Sequence, residues 1–173
     1  MPSKKAMRTV CNNRVGYPVR SREGNIMLVE AMIPTARRRL TTINANASLV
    51  DAAKLLSDTQ ISLVVVCDAK GSMVGVITKT DIIRQIARGE ECVGEVLVSA
   101  IMTRDVVHCR PSNLLHEVWT NMNARGFVHI PILDQHFRPS GVINARDALQ
   151  ALLGEVKDEE SLLRDYVMGV GYR

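Results

Sequence analysis

The sequence predicts a mixed α/β (α+β) fold in which two β-α-β-β-α repeats pack sheet to sheet with pseudo-twofold symmetry. The chain has 173 residues, of which 46% are hydrophobic, so it can bury a core of ordinary size. Shifting the sequence by 66 positions aligns six identical residues over about 40 positions of the two copies, five of them within a 14-residue stretch. A repeat of roughly 55 residues is too small to bury both of its faces alone, so the copies should pack together. The identical pairs are Leu49 and Leu115, Asp68 and Asp134, Gly75 and Gly141, Val76 and Val142, Ile77 and Ile143, and Asp81 and Asp147.

The first copy shows each element of the repeat in turn. Leu49, Ala53 and Leu56 recur at helical spacing, and Ser48 stands where the N-cap of that helix belongs. A β-branched run that ends in a turn predicts one strand, and a second apolar run predicts its hairpin partner. Gly89 then ends the second helix. The predicted ranges are strand 40–43, a helix from residue 49, strands 62–67 and 73–77, and helix 79–88.

The second copy repeats this order. Leu115, Val118, Trp119 and Met122 fall on one face of its first helix, and Gly154 is predicted to end its second helix. The predicted ranges are strand 106–109, helix 114–123, strands 128–133 and 140–143, and helix 145–153.

The remaining segments complete the predicted organisation. A helix at 158–167 should dock on the body or on a second subunit, and residues 96–102 should form a short lead-in helix for the second copy. The predicted division is a flexible basic tail 1–25, a first repeat 26–88, a linker 89–95, a second repeat 96–154, and a C-terminal helix and tail 155–173.

Charge is distributed unevenly along the chain. Residues 1–40 hold nine basic and two acidic residues, a net charge of +7, whereas the rest of the chain carries −3. Nucleic-acid binding by the body is therefore disfavoured. No apolar stretch approaches the roughly 20 residues that span a bilayer, and no secretory signal is visible, so no membrane contact is expected. The four cysteines lack the spacing of a metal site or of a disulfide framework, which favours reduced thiols and a cytoplasmic location.

A motif at the junction of a strand and a helix occurs twice. Residues 68–81 read Asp-Ala-Lys-Gly-Ser-Met-Val-Gly-Val-Ile-Thr-Lys-Thr-Asp, and residues 141–147 read Gly-Val-Ile-Asn-Ala-Arg-Asp. Residues 129–132, His-Ile-Pro-Ile, match an apolar-Pro-apolar strand. Together these segments resemble the tandem cystathionine β-synthase (CBS) domain pair, also called a Bateman module, over residues 31–154.

This resemblance implies a regulatory module and not an enzyme. CBS pairs bind adenosine-containing ligands (AMP, ADP, ATP or S-adenosylmethionine) in clefts between the two repeats, and they assemble side by side as homodimers. No cofactor is required, and no catalytic residue or metal site is predicted. An adenine nucleotide or S-adenosylmethionine would act as the regulatory ligand, and an unidentified protein partner would receive the signal.

Chemistry assigns roles to the matching residues. The Thr78 hydroxyl and the free N–H groups of the following helix suit phosphate, and the Asp81 carboxylate can accept hydrogen bonds from ribose hydroxyls. Lys79 and Arg125 could neutralise phosphate charge. In the second copy Asn144 and Asp147 correspond to Thr78 and Asp81. The remaining candidate ligand-binding residues are Arg146 and His129 for phosphate charge, and Ile43, Val107 and Ile130 around the base.

A structural interpretation of the same motif stays open. Residues 78–81 also form a near capping box, in which Thr78 and Asp81 satisfy backbone donors without any ligand, and residues 144–147 could do the same. Asn144 departs from the Thr or Ser usual at its position, which favours the first site over the second. The run Arg37, Arg38 and Arg39 is interpreted as solvated, with a phosphate contact or a partner surface as the alternative.

Three other functions remain as alternatives. A ligand-free dimerisation or protein-interaction adaptor would use Asp81 and Asp147 only as helix caps. Nucleic-acid binding through residues 1–40 would show a steep salt dependence. An enzyme is the least favoured, because the sequence shows no activated nucleophile and the repeats occupy nearly the whole body.

Overall fold

The computed structural model describes residues 27–58, 61–89 and 96–154. The predictions for the basic tail, the C-terminal helix and all but one residue of the linker lie outside these ranges. Within them, no helix is both long and apolar enough to cross a membrane.

The first repeat contains a three-stranded sheet. Strand β1 pairs in parallel with β2, and β2 pairs with β3 in an antiparallel hairpin. The Ser48 side chain accepts the Asp51 N–H at 3.1 Å, which confirms the predicted N-cap of α2. Gly89 lies just beyond α3 with a φ of +71°, as predicted for a residue that ends a helix. The elements are α1 (Ile33–Arg37), preceded by a 3₁₀ turn (Val29–Met32), then β1 (Thr42–Asn44), α2 (Leu49–Ser57), β2 (Leu63–Cys67), β3 (Met73–Thr78) and α3 (Lys79–Ala87).

The second repeat contains a two-stranded antiparallel sheet. The strand predicted at 106–109 was wrong: this segment forms isolated bridges at His108 and Cys109 and no strand, and Cys109 pairs with Ile132. In the first repeat the Ala45 N–H extends the ladder by donating to Cys67 at 2.9 Å, but the equivalent residue here is Pro111, which has no N–H. Gly154, predicted to end the last helix, is itself helical. The elements are α4 (Val98–Ile101), α5 (Leu115–Arg125), β4 (His129–Leu133), β5 (Pro139–Asn144) and α6 (residues 145–154).

The two sheets face each other across a shared apolar core, as predicted. The Met73 N–H also donates to the Phe137 carbonyl at 2.8 Å, which links β3 of one repeat to the hairpin turn of the other. The shared core is formed by Val65, Cys67, Met73 and Val76 of the first repeat with Val106, Leu133 and Val142 of the second.

The lead-in segments of the two repeats are exchanged. Val29, Met32 and Ala36 lie in the core of the second repeat, whereas Val98 and Met102 lie in the core of the first. The predicted lead-in helix of the second copy therefore exists, as α4, but it packs on the first copy. This exchange was not predicted, because a linear repeat pattern does not show which half each segment buries.

Two glycines allow the exchanged segments to approach the sheets. A Cβ atom on Gly75 would lie 2.7 Å from the Thr103 carbonyl oxygen, and one on Gly141 would lie 2.7 Å from the Ala36 Cβ. Both distances are shorter than real side-chain contacts, so only glycine fits at either position. Positions 75 and 141 are thus both glycine because each is approached closely by an exchanged segment in an equivalent way.

Candidate functional site

A small cleft lies between the two repeats and opens to solvent. Ser62 and Leu63 contribute the start of β2, His129 and Val142 contribute the second sheet, and Arg39 follows α1. The four sequence segments that meet here come from different parts of the chain and from both repeats. The cleft is therefore a product of the packed pair and is absent from a single repeat.

His129 is held at the cleft by Asn144. The two residues face each other across β4 and β5, and Asn144 Nδ2 lies 3.1 Å from His129 Nε2. Asn144 Oδ1 accepts the Arg146 N–H at 2.8 Å, which leaves the NH₂ group to face the histidine. Since that amide nitrogen can only donate, His129 Nε2 accepts and the imidazole is neutral.

The cap of α6 is supplied by Asn144. Its carbonyl oxygen satisfies a backbone donor of the first turn, which is the work of an N-cap side chain. The Asp147 carboxylate instead pairs with Arg39, whose Nε donates to Asp147 Oδ2 at 2.8 Å. Asp147 thus carries a charge beside the cleft that is balanced by a residue from the exchanged lead-in segment.

Electrostatics connect these groups into one cluster. Burial lowers the pKa of His129, the Arg39 guanidinium lowers it further, and the Asp147 carboxylate opposes both effects. His129, Arg39 and Asp147 therefore influence one another, in agreement with the neutral imidazole that the hydrogen bonds require.

The corresponding carboxylate of the first repeat serves its own helix. Asp81 Oδ2 accepts the Thr78 N–H at 2.9 Å and the Thr78 hydroxyl at 2.7 Å. Arg84 lies 3.9 Å from the other oxygen of Asp81. This geometry is the capping arrangement that the sequence left open, and a ligand at Asp81 would have to replace two short hydrogen bonds.

The other candidate residues are dispersed. Lys79 Nζ donates to the Asp58 carbonyl at 3.2 Å, and Arg146 is exposed in the first turn of α6. Ile43 and Val107 are half-buried against the cores of the first and second repeats, respectively. Ile130 is fully buried within the second core and presents no surface to solvent.

Four residues of the cleft, Arg39, Ser62, Leu63 and Val142, were not among the predicted site residues. Arg39 was interpreted as part of a solvated run, and the other three as ordinary strand residues. Arg39 aligns with Asp105 at the offset of 66. This alignment does not show that Arg39 lies at the cleft, because the exchange of the lead-in segments cannot be read from it.

Known proteins share this architecture. The CBS-domain-containing protein ATU1752 from Agrobacterium tumefaciens is 27% identical, with 72% of this chain and 98% of that chain covered and a TM-score of 0.61. The CBS domain pair of protein MJ0100, in complex with 5′-methylthioadenosine and S-adenosyl-L-methionine, is 25% identical, with 75% and 98% covered and a TM-score of 0.61.

A longer enzyme also shares part of the sequence. The L-aspartate semialdehyde sulfurtransferase of Methanocaldococcus jannaschii is 28% identical over 106 residues, which is 61% of this chain and 20% of the enzyme. The chain thus spans only a fifth of that relative. The CBS domain itself matches twice, over residues 29–88 and 98–154, one match in each structural half. The chain therefore belongs to the CBS domain family, as a tandem pair of that domain.

Proposed function

We propose that the chain is a regulatory module that binds an adenosine-containing ligand in the inter-repeat cleft beside Asp147. The observation that carries this proposal is the position of the Asp147 carboxylate. Asn144 caps α6, while the carboxylate pairs with the cleft-lining Arg39 and acts electrostatically on the cleft-lining His129. Both ligands in the complex of MJ0100, 5′-methylthioadenosine and S-adenosyl-L-methionine, contain adenosine, which supports the proposed class of ligand.

The residues around the cleft fit the parts of such a ligand. The two ribose hydroxyls can donate to Asp147, which accepts at both oxygens. Leu63 and Val142 offer apolar contacts for the base. The exposed Arg146 side chain in the first turn of α6 offers donors and positive charge for an anionic group.

Ligand binding could produce a regulatory signal because different parts of the chain form the walls of the cleft. Its walls come from both repeats and from the exchanged lead-in segment, so a ligand contacts all three. Ligand binding can change their arrangement only if the ligand prefers one arrangement over another. We propose that this preference is transmitted to a protein partner in the cytoplasm through the packing of a homodimer.

Exposed apolar side chains support the homodimer. Ile83 of α3 and Leu149 of α6 are 64% and 36% exposed, and they occupy equivalent positions of the two repeats. Ile86 and Leu153 extend these faces with exposures of 56% and 53%. Matching apolar faces on symmetry-related helices suit a partner with the same symmetry, which is a second copy of the chain.

A second ligand site at Thr78, Lys79 and Asp81 belongs to the same proposal as the weaker site, because the Asp81 carboxylate is already engaged. The domain boundaries inferred from the sequence also stand as part of it, with repeats at 26–88 and 96–154 and the basic tail, linker and C-terminal segment around them.

Calorimetric titration of the full chain with AMP, ADP, ATP and S-adenosylmethionine tests the proposal. At least one ligand should bind, and Asp147→Asn should weaken it by about tenfold or more, since a hydrogen bond to a charged group contributes about 1.5–3 kcal/mol. Glu30→Gln, which removes an exposed carboxylate that does not line the cleft, should bind normally.

Two results would count against the proposal. An absence of heat and of thermal stabilisation with all four ligands at millimolar concentration would favour the ligand-free adaptor. Loss of binding in Asp81→Asn with normal binding in Asp147→Asn would move the ligand to the other repeat.

A further inference from the structure

We infer that the cleft beside Asp147 selects a phosphorylated nucleoside over an uncharged or sulfonium nucleoside, and that Arg39 determines this specificity. The inference rests on the proposed function and adds the chemical class of the ligand. It starts from the Arg39–Asp147 ion pair, which the ligand must rearrange before ribose can reach the carboxylate.

Charge balance favours a ligand that carries its own anion. If ribose hydroxyls replace Arg39 as the partners of Asp147, the guanidinium loses the carboxylate that it now contacts at 2.8 Å. A phosphate group on the same ligand gives Arg39 a new partner, with which a guanidinium can form two parallel hydrogen bonds. An uncharged nucleoside such as adenosine offers no such exchange.

A sulfonium nucleoside meets the opposite electrostatics. S-adenosylmethionine carries a sulfonium, an ammonium and a carboxylate, a net positive charge, and its sulfonium is bonded directly to C5′ of the ribose. That sulfonium would enter a cleft that Arg39 already lines, while the ribose occupied the carboxylate that had neutralised Arg39. His129 supplies no negative charge that could offset this, since its imidazole is neutral and accepts from Asn144. Repulsion between two cations should therefore weaken the binding of S-adenosylmethionine.

The other repeat does not supply the same cation. Asp105 occupies the position equivalent to Arg39, so the charge at that position is reversed between the two halves. The selectivity for phosphate should therefore belong to one site, and a titration with AMP should show one strong site per chain.

The experiment compares AMP, adenosine and S-adenosylmethionine by calorimetric titration of the full chain and of two variants. In the wild type, AMP should bind at least about tenfold more tightly than adenosine, and S-adenosylmethionine most weakly, as expected for a charge-assisted contact with phosphate. Arg39→Gln should lower the affinity for AMP by about tenfold while adenosine binds equally well or better, because Asp147 is then free.

Arg38→Gln is the matched control, since Arg38 is an exposed neighbour in the same run and does not line the cleft. It should keep the preference for AMP. The inference is overturned if adenosine or S-adenosylmethionine binds the wild type as tightly as AMP, or if Arg39→Gln keeps the full preference. Binding of all three ligands without discrimination overturns this inference and leaves the proposed function standing, whereas an absence of binding by all three ligands overturns the proposed function as well.

Discussion

Arg39 and Asp147 are 108 residues apart in the sequence, yet Arg39 Nε lies 2.8 Å from Asp147 Oδ2. Arg39 follows the lead-in segment of the first repeat, and Asp147 lies in the first turn of the last helix of the second. The contact thus joins the exchanged segment to the candidate site. It also gives Asp147 a different role from Asp81, although the two residues occupy equivalent positions.

The different roles predict different costs of substitution. Asp81→Ala should lower the free energy of unfolding by about 1 kcal/mol, because it removes an acceptor that satisfies the start of α3. Asp147→Ala should cost less than about 0.5 kcal/mol, since its partner Arg39 is 38% exposed and water screens the pair. Urea unfolding of both variants measures the difference. Equal costs, or a larger cost for Asp147→Ala, would show that the two helices are capped alike.

The close contact at Gly141 predicts a larger effect. Gly141→Ala would place a Cβ 2.7 Å from the Ala36 Cβ and 3.0 Å from the backbone carbon of Ala36, so the lead-in helix must move. We expect a loss of about 1–3 kcal/mol, as for other overpacked cores, measured by thermal or urea unfolding. Gly154→Ala is the control, because no atom lies within 4 Å of its added Cβ and the residue is helical. A fully stable Gly141→Ala protein would contradict the described contact between α1 and β5.

The repeat could be predicted partly because some of its identical residues perform local tasks. Asp68 and Asp134 each accept two backbone N–H groups of their own hairpin turn, so the same residue recurs at the same place. Ser48 likewise caps the helix that it precedes. Interactions within a few residues leave a pattern in a single sequence, and sheet-to-sheet packing follows from the size of each copy.

The candidate site could be predicted only in part, because it depends on contacts between distant segments. Asn144 and Asp147 were identified from the repeat and His129 as a neighbouring cationic group, but Arg39 reaches them only through the exchange of lead-in segments. The sequence also could not decide whether Asp81 and Asp147 cap helices or remain available. That outcome depends on the partners of each carboxylate: Asp81 accepts the N–H and hydroxyl of its own N-cap residue Thr78, whereas Asp147 pairs with Arg39.

The burial of His108 predicts that the protein loses stability at acidic pH. Burial lowers the pKa of His108, which is 1% exposed and lies with its ring 6.0 Å from that of Phe137. The unfolded chain binds a proton near the ordinary pKa of about 6.5, while the folded chain resists it until a lower pH. Because the unfolded state then holds more protons, the free energy of unfolding should fall as the pH decreases below about 6.5 and stay constant above it.

Urea unfolding between pH 8 and pH 5 measures this slope. His108→Gln should reduce it, whatever its effect on stability at pH 8, since glutamine does not titrate. Part of the slope should remain, because the pKa of His129 is lowered as well, mainly by burial. His116→Gln, at an exposed position of α5, is the control and should keep the slope of the wild type. An unchanged slope in His108→Gln would assign the pH dependence to other groups.

The exposed apolar faces of α3 and α6 form the proposed homodimer interface, so the Ile86→Glu variant should no longer dimerise. Ile86 is 56% exposed, and a glutamate there would place a charge in an apolar interface without a partner, which is strongly unfavourable. Sedimentation velocity should show a dimer for the wild type and a monomer for Ile86→Glu at the same concentration. Val50→Glu introduces the same charge at a residue of α2 that is 42% exposed, and it should remain dimeric. If the wild type is monomeric, or if Ile86→Glu sediments as a dimer, the two chains do not meet through these helices.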